Sequence, residues 1–291
     1  MKQILLNYFQ LVKFRLTSTV AATSAFGYIL GCKINNPNDW TEVFRGIEFA
    51  AVIVGGMLVI FASNGLNQVV EKENDGKMAR TSNRPVVEGR ISINNARIFC
   101  LICGTLGIAI LGFYTNYLTS MLGLISLLIY VFIYTPMKQV SPLAVLVGAI
   151  PGALPPLIGY TAVVGRIDEP GIILFLVQFF WQFPHFWAIA WLLHDDYQKA
   201  GYWLLPSKGG RDKKSAYQIL IYTVILALVS LMPVYYKLAG IYSIAMLLPI
   251  SAYFCYRSYK LFQSLEISDA RKLLYASFLY TPLVFLAYII F

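Results

Sequence analysis

Charge is what this chain has least of. Asp, Glu, Lys and Arg make up 13% of its 291 residues, against 58% hydrophobic ones, whereas a water-soluble domain carries roughly 25% charged residues. So little charge cannot cover a fold of this size in water, which leaves lipid around most of its surface. Acidic residues are the scarcer kind, 14 against 23 basic ones, for a net charge of +9. In a lipid-embedded chain that excess speaks first of orientation, because Lys and Arg stay on the cytoplasmic side. It speaks second of an anionic substrate such as a diphosphate, and no nucleic-acid partner is expected. Cysteine is sparse: Cys32, Cys100, Cys103 and Cys255 all lie in or beside apolar stretches. Cys100 and Cys103 sit one turn apart in an expected membrane helix, without the loop and second ligand pair of a redox or zinc site. They read as small buried helix residues. A separate soluble domain and a low-complexity tail are also missing. No cleavable signal peptide is expected, because Lys13 and Arg15 interrupt a short apolar run.

What is present is a series of apolar runs. Spanning a bilayer takes about 20 mostly apolar residues, and nine runs qualify, near 16–34, 46–66, 96–115, 117–135, 142–164, 170–193, 216–236, 239–259 and 272–290. The fold class is therefore all-α, a polytopic membrane bundle of nine helices forming one domain over 1–291. Two long charged loops, 67–95 and 194–215, interrupt it. With the N-terminus inside, nineteen basic residues fall on inner segments and only Lys33, Arg45, Arg166 and Lys237 on outer ones. That asymmetry predicts a cytoplasmic N-terminus, an external C-terminus and both charged loops in the cytoplasm. The fifth run carries Pro151, Pro155 and Pro156 among glycines, and the sixth carries Pro184. Helices broken in this way border cavities.

Two constellations carry candidate chemistry. Asn67, Glu71 and Asp75 are spaced i, i+4, i+8; on a continuing helix they span about 80° of one face, in a row roughly 12 Å long. Glu73 points elsewhere. Carboxylates in a row at a membrane mouth suit Mg²⁺, a hard ion that takes a few carboxylates plus phosphate oxygens. Lys77, Arg80 and Arg84 follow at once and can hold phosphates. The spacing fits a solvated helix end with i,i+4 charge pairs equally well. The second constellation is Trp181–Trp187, WQFPHFW, followed by His194-Asp195-Asp196-Tyr197. His185 is the one histidine inside an expected span, a functional candidate by position or a core histidine bonded to a backbone carbonyl. On an unbroken helix Gln182, His185 and Asp196 share a face, making a polar path to the cytoplasmic mouth. Broken helices with a polar interior also suit a transporter. A transporter, however, concentrates its ionisable groups at the midplane, and these carboxylates cluster at the helix ends.

The stretch NQVVEKENDGKMARTSNRP resembles the first Asp-rich motif of the UbiA prenyltransferase superfamily. YTPMKQVSPLAVLVGAIPGALPPLIGY, WQFPHFWAIAW and DDYQKAGYWLLP match its heme branch in the same order, so that the resemblance covers about 8–290. It implies a nine-helix bundle around a central cavity that opens near the cytoplasmic face. It implies farnesyl diphosphate as donor and heme B as acceptor, whose C2 vinyl group becomes a hydroxyethylfarnesyl group. A quinone precursor or a chlorin is the alternative acceptor within the superfamily. By match, Asn67, Glu71, Asp75, Lys77, Arg80 and Arg84 are the metal and diphosphate positions, and Asp195 and Asp196 their counterparts on the second loop. Mg²⁺ would be held by Glu71, Asp75 and Asp196, with His185 in a catalytic role as iron ligand or orienter of water. The implied setting is a bacterial inner membrane, with heme A synthase or terminal-oxidase assembly proteins as protein partners. Three departures stand out: Glu71 where the motif has Asp, a second loop without the full D-x-x-x-D, and Lys13-Phe14-Arg15 without the usual proline.

Overall fold

The computed structural model describes residues 2–236 and 238–291; Lys237, one of the basic residues expected on the outer side, lies outside the described residues. A short helix α1 (Lys2–Leu11) precedes the long ones: α2 (Phe14–Asn35), α3 (Gly46–Val70), α5 (Ile93–Tyr114), α6 (Tyr117–Met137), α7 (Ala144–Val164), α8 (Glu169–Leu192), α10 (Lys213–Tyr235), α11 (Ile244–Ser264) and α12 (Ile267–Ile290). Two short helices, α4 (Lys72–Lys77) and α9 (His194–Lys199), follow α3 and α8 inside the charged loops. All nine expected runs are helical. Seven of them are long and apolar enough to cross a membrane; α2 and α11 are less apolar. The last two expected runs begin elsewhere than the apolar pattern suggests. A 3₁₀ turn at Ile241–Ser243 occupies the start of the eighth, and α12 begins five residues early, at Ile267.

Local chemistry sets the ends. Ser92, Asn116, Asp168 and Asp212 each accept a backbone N–H three residues on, capping α5, α6, α8 and α10. Neighbours in sequence are neighbours in space from α2 round to α12, which returns to α2 and closes a ring. The two most extensive contacts across that ring are α2 against α7 and α8 against α12; α3 also meets α6 and α7. The first is backbone on backbone: a Cβ on Gly27 would strike the Pro156 carbonyl, and one on Gly159 the carbonyl of Ser24. Small residues therefore let α2 and α7 close up without side chains between them. The largest apolar cluster fills the half built from α7, α8, α10, α11 and α12.

In α6 the segment Ile129–Tyr134 is π-helical, and the Thr135 N–H bonds five residues back to Tyr130. A π stretch inserts a residue into a turn and often marks a functional position. No signal in the apolar run announces it, and it sets the direction in which Thr135 and Lys138 leave the helix.

Candidate active site

The row Asn67, Glu71, Asp75 keeps its spacing although α3 ends at Val70. The Glu71 N–H bonds to the Asn67 carbonyl at 2.9 Å and the Asp75 N–H to the Glu71 carbonyl at 2.8 Å, so the i+4 register runs through the junction into α4. All three side chains are buried, while Glu73 between them is exposed. A solvated helix end would leave the whole set in water.

What faces the row is positive. Lys138, just past α6, donates to Glu71 at 2.8 Å and lies 4.4 Å over the Tyr134 ring. Arg84 forms an ion pair with Asp75. Lys13 Nζ approaches Asn67 Oδ1 at 3.5 Å, and Asn67 Nδ2 donates to Thr135 Oγ1 at 3.1 Å. Burial alone would raise the Glu71 carboxyl, but Lys138, then Lys13 and Arg84, outweigh it and hold it below its ordinary value. Burial, with Arg84 and Lys138 beside it, pulls Lys13 down to about 7. Lys13 also has a left-handed backbone, φ 50°, a conformation that costs a non-glycine residue of order 1–3 kcal/mol and that collects at functional sites. Three cations thus crowd two carboxylates, and an anion bound there would relieve the crowding.

Asp75 bears on metal binding. Its Oδ1 is buried with no hydrogen-bond partner, a costly state for a carboxylate oxygen. Burial raises the Asp75 carboxyl, and Arg84 offsets this only in part. The oxygen has a place for a cation that the protein itself does not fill. Among the described residues no three His, Cys, Asp or Glu side chains gather as ligands. Mg²⁺ does not need such a cage: one or two carboxylates suffice when water and substrate phosphates complete the shell. Asn67, Glu71 and Asp75 fit that donor set.

The remaining expected residues lie apart from the row. Lys77 is exposed and reaches only its own Asn74, and Arg80 is exposed near the Tyr197 ring. Asp195 pairs with Arg211 at 3.0 Å, and that same arginine donates to the Trp191 carbonyl at the end of α8. Asp196, expected as a third metal carboxylate, instead accepts the backbone N–H groups of Ala79 at 2.9 Å and Arg80 at 3.3 Å. Burial opposes its ionisation, but those two N–H groups and Lys199 prevail and hold its carboxyl below the usual range. Asp196 thus latches the second charged loop onto the first, at the same end of the bundle. The backbone register runs on from α8 into α9 as well, with the Leu193 N–H on the Ile189 carbonyl at 3.0 Å and the Tyr197 N–H on the Leu193 carbonyl at 2.9 Å, but the side chains of the expected polar path each take a separate partner. Gln182 donates to the Ala149 carbonyl on α7, and His185 bonds Ser277 on α12. Sequence reasoning passed over Lys13 and Lys138 as site residues. The available signal was that Lys138 is the sole basic residue between α6 and α7.

Asp196→Ala is expected to raise KM for the anionic substrate about tenfold, the worth of one charge-assisted hydrogen bond, with a smaller change in kcat. The loop at 79–90 should become more sensitive to protease. An unchanged KM would separate this latch from substrate binding.

Comparison with known proteins follows the same lines. The model of the UbiA prenyltransferase family matches residues 19–285. A protein named protoheme IX farnesyltransferase from Cytophaga hutchinsonii is 43% identical over 284 residues, 97% of this chain and 96% of that one. Among solved structures, one described as digeranylgeranylglyceryl phosphate synthase in membranes superposes with a TM-score of 0.80 at 21% identity, over 99% of this chain and 98% of that one. A UbiA homologue from Archaeoglobus fulgidus bound to GPP and Mg²⁺ gives a TM-score of 0.68 at 17% identity, over 97% and 99%.

Proposed function

This chain belongs to the UbiA prenyltransferase family, and from that premise we propose that it farnesylates heme B to heme O. The donor is farnesyl diphosphate, and the acceptor is the C2 vinyl group of the porphyrin. The observation that carries the reading is the buried row Asn67, Glu71, Asp75, crowded by Lys13, Arg84 and Lys138 and holding one unpartnered carboxylate oxygen. Such a row is built to take a cation together with a polyanion. The choice of acceptor is supported by WQFPHFW and by the relative named protoheme IX farnesyltransferase.

Mg²⁺, held by Glu71 and Asp75 with Asn67 beside them, would neutralise charge that builds on the departing diphosphate. The rest is done by the chain's own groups. Lys138, Arg84 and Lys13 bind the diphosphate and fix its orientation, and Asp196 holds the loop that carries Arg84. Lys77 and Arg80, at the exposed rim, attract the anion as it arrives. Apolar side chains exclude water from the prenyl tail, so the allylic cation formed as the C–O bond breaks survives to meet the vinyl group. That vinyl group supplies two electrons to the farnesyl C1. Water adds to the resulting cation beside the porphyrin and loses a proton, which leaves the hydroxyl group.

The protein is a multi-pass membrane protein. We place it in a bacterial inner membrane with nine spans, the N-terminus and both charged loops cytoplasmic and the C-terminus outside. It hands its product to heme A synthase or terminal-oxidase assembly proteins. Membranes supplied with farnesyl diphosphate, Mg²⁺ and heme B are expected to yield a heavier, more hydrophobic heme on chromatography with mass detection. EDTA should abolish the product and Mg²⁺ restore it. No product from heme, but one from a quinone precursor, would replace the acceptor.

A further inference from the structure

His185 lies inside α8, buried, with its Nδ1 2.7 Å from Ser277 Oγ on α12. The direction of that bond is fixed by its neighbour. Ser277 Oγ also lies 2.6 Å from the Leu274 carbonyl. A carbonyl cannot donate, so the single hydroxyl proton of Ser277 is spent on it. Toward His185 the serine oxygen can only accept, so the imidazole carries its proton on Nδ1. The tautomer that remains has its lone pair on Nε2, for which no hydrogen-bond partner exists among the described residues.

The plane of the ring is fixed as well. Trp181, one turn before His185, donates its indole N–H to the Ser277 backbone carbonyl at 2.8 Å. Its ring stacks on the imidazole at 4.6 Å and 18°. Both rings are therefore tied to one residue of the facing helix, and Phe186 and Phe278 stand edge-on at 5.5 and 5.1 Å. A histidine that donates from Nδ1 to a fixed acceptor, with Nε2 left as a bare lone pair, is arranged as ligating histidines are.

We propose that His185 Nε2 is the axial ligand of the iron of the heme acceptor, and that Ser277 is the positioning residue that sets its tautomer and orientation. The proposal rests on the heme reading above and adds to it how the acceptor is held: by its metal, from α8, apart from the carboxylate row that takes the diphosphate. Ligation at the iron would leave the porphyrin edge, where the vinyl groups are, free to react.

The test uses the full-length protein in detergent, titrated with ferric and ferrous heme B and followed by visible and resonance Raman spectra. The wild type is expected to show a histidine-ligated heme. His185→Ala should lose that signature and at least tenfold in heme affinity, and added imidazole should restore the spectrum. Ser277→Ala should weaken heme about 10–100-fold, the usual loss for an outer partner of a metal ligand, and shift the iron–histidine stretch. Ser277→Thr, which keeps the hydroxyl, should recover both. Retained binding of farnesyl diphosphate reports that each variant is folded. Wild-type heme spectra in His185→Ala overturn the proposal and leave the farnesyltransferase reading standing. A wild type that binds farnesyl diphosphate but neither binds nor modifies heme overturns both.

Discussion

Asp75→Asn is expected to cut turnover by about 10²–10³-fold at saturating Mg²⁺, the loss that follows removal of one preorganised charge-stabilising group. The substitution keeps the size and shape of the side chain, so packing is preserved. It removes the charge that opposes Arg84, and it replaces an unpartnered anionic oxygen with a neutral amide. A neutral oxygen is a poor ligand for a hard divalent ion, so raising Mg²⁺ should recover only part of the rate. Glu73→Gln provides the control two residues away: that carboxylate is exposed, and its loss should leave turnover within about twofold, since surface substitutions away from a site cost little. Turnover is read from heme product formed per minute, with apparent melting temperature in detergent as the check on folding. Turnover of Asp75→Asn within tenfold of wild type would remove Asp75 from the metal–diphosphate unit.

The two carboxylates show how far the sequence could be read. The i, i+4, i+8 spacing placed Asn67, Glu71 and Asp75 on one face because helical geometry is local, and the face is kept although the helix changes at Glu71. Exposure of Glu73 follows from the same arithmetic. The nine helical runs were legible for a similar reason, since length and apolarity are properties of contiguous residues. Contacts between distant segments were not legible. Lys138 is 67 residues from Glu71 and Lys13 is 54 from Asn67, and nothing local says that they meet. Asp196 is a metal position by resemblance to the family's second loop; what no local pattern shows is that two backbone N–H groups some 117 residues away bond to it. The path along α8 is not joined for the same reason: Gln182, His185 and Asp196 take their partners from distant segments, at Ala149, Ser277 and Ala79.

Lys138→Met is the second large effect, and it separates stability from catalysis. Lys138 and Glu71 have side-chain exposures of 11% and 4%, so solvent does little to screen the pair. Removing one partner of a buried ion pair costs about 3–5 kcal/mol, because the other is left charged in a poor solvent. In the wild type, Lys138 and the other cations hold the Glu71 carboxyl below its ordinary value. That contribution is present above the ordinary glutamate range and is lost as pH falls through the depressed value. Without Lys138 the burial effect has less to oppose it, and the Glu71 carboxyl rises. The sign of the linkage then reverses: the unpaired charge destabilises the variant at high pH, and protonation relieves it as pH falls. The deficit in apparent melting temperature should therefore be larger at pH 8 than at pH 5. Adding Glu71→Gln should restore most of the melting temperature, because a neutral amide leaves no buried charge without a partner. Turnover should remain lost in the double variant, since neither the cation for the diphosphate nor the carboxylate for the metal is present. If Lys138→Met melted like wild type at both pH values, the pair would not hold this end of the bundle together. If the double variant recovered activity along with stability, Lys138 and Glu71 would be a strut rather than part of the site.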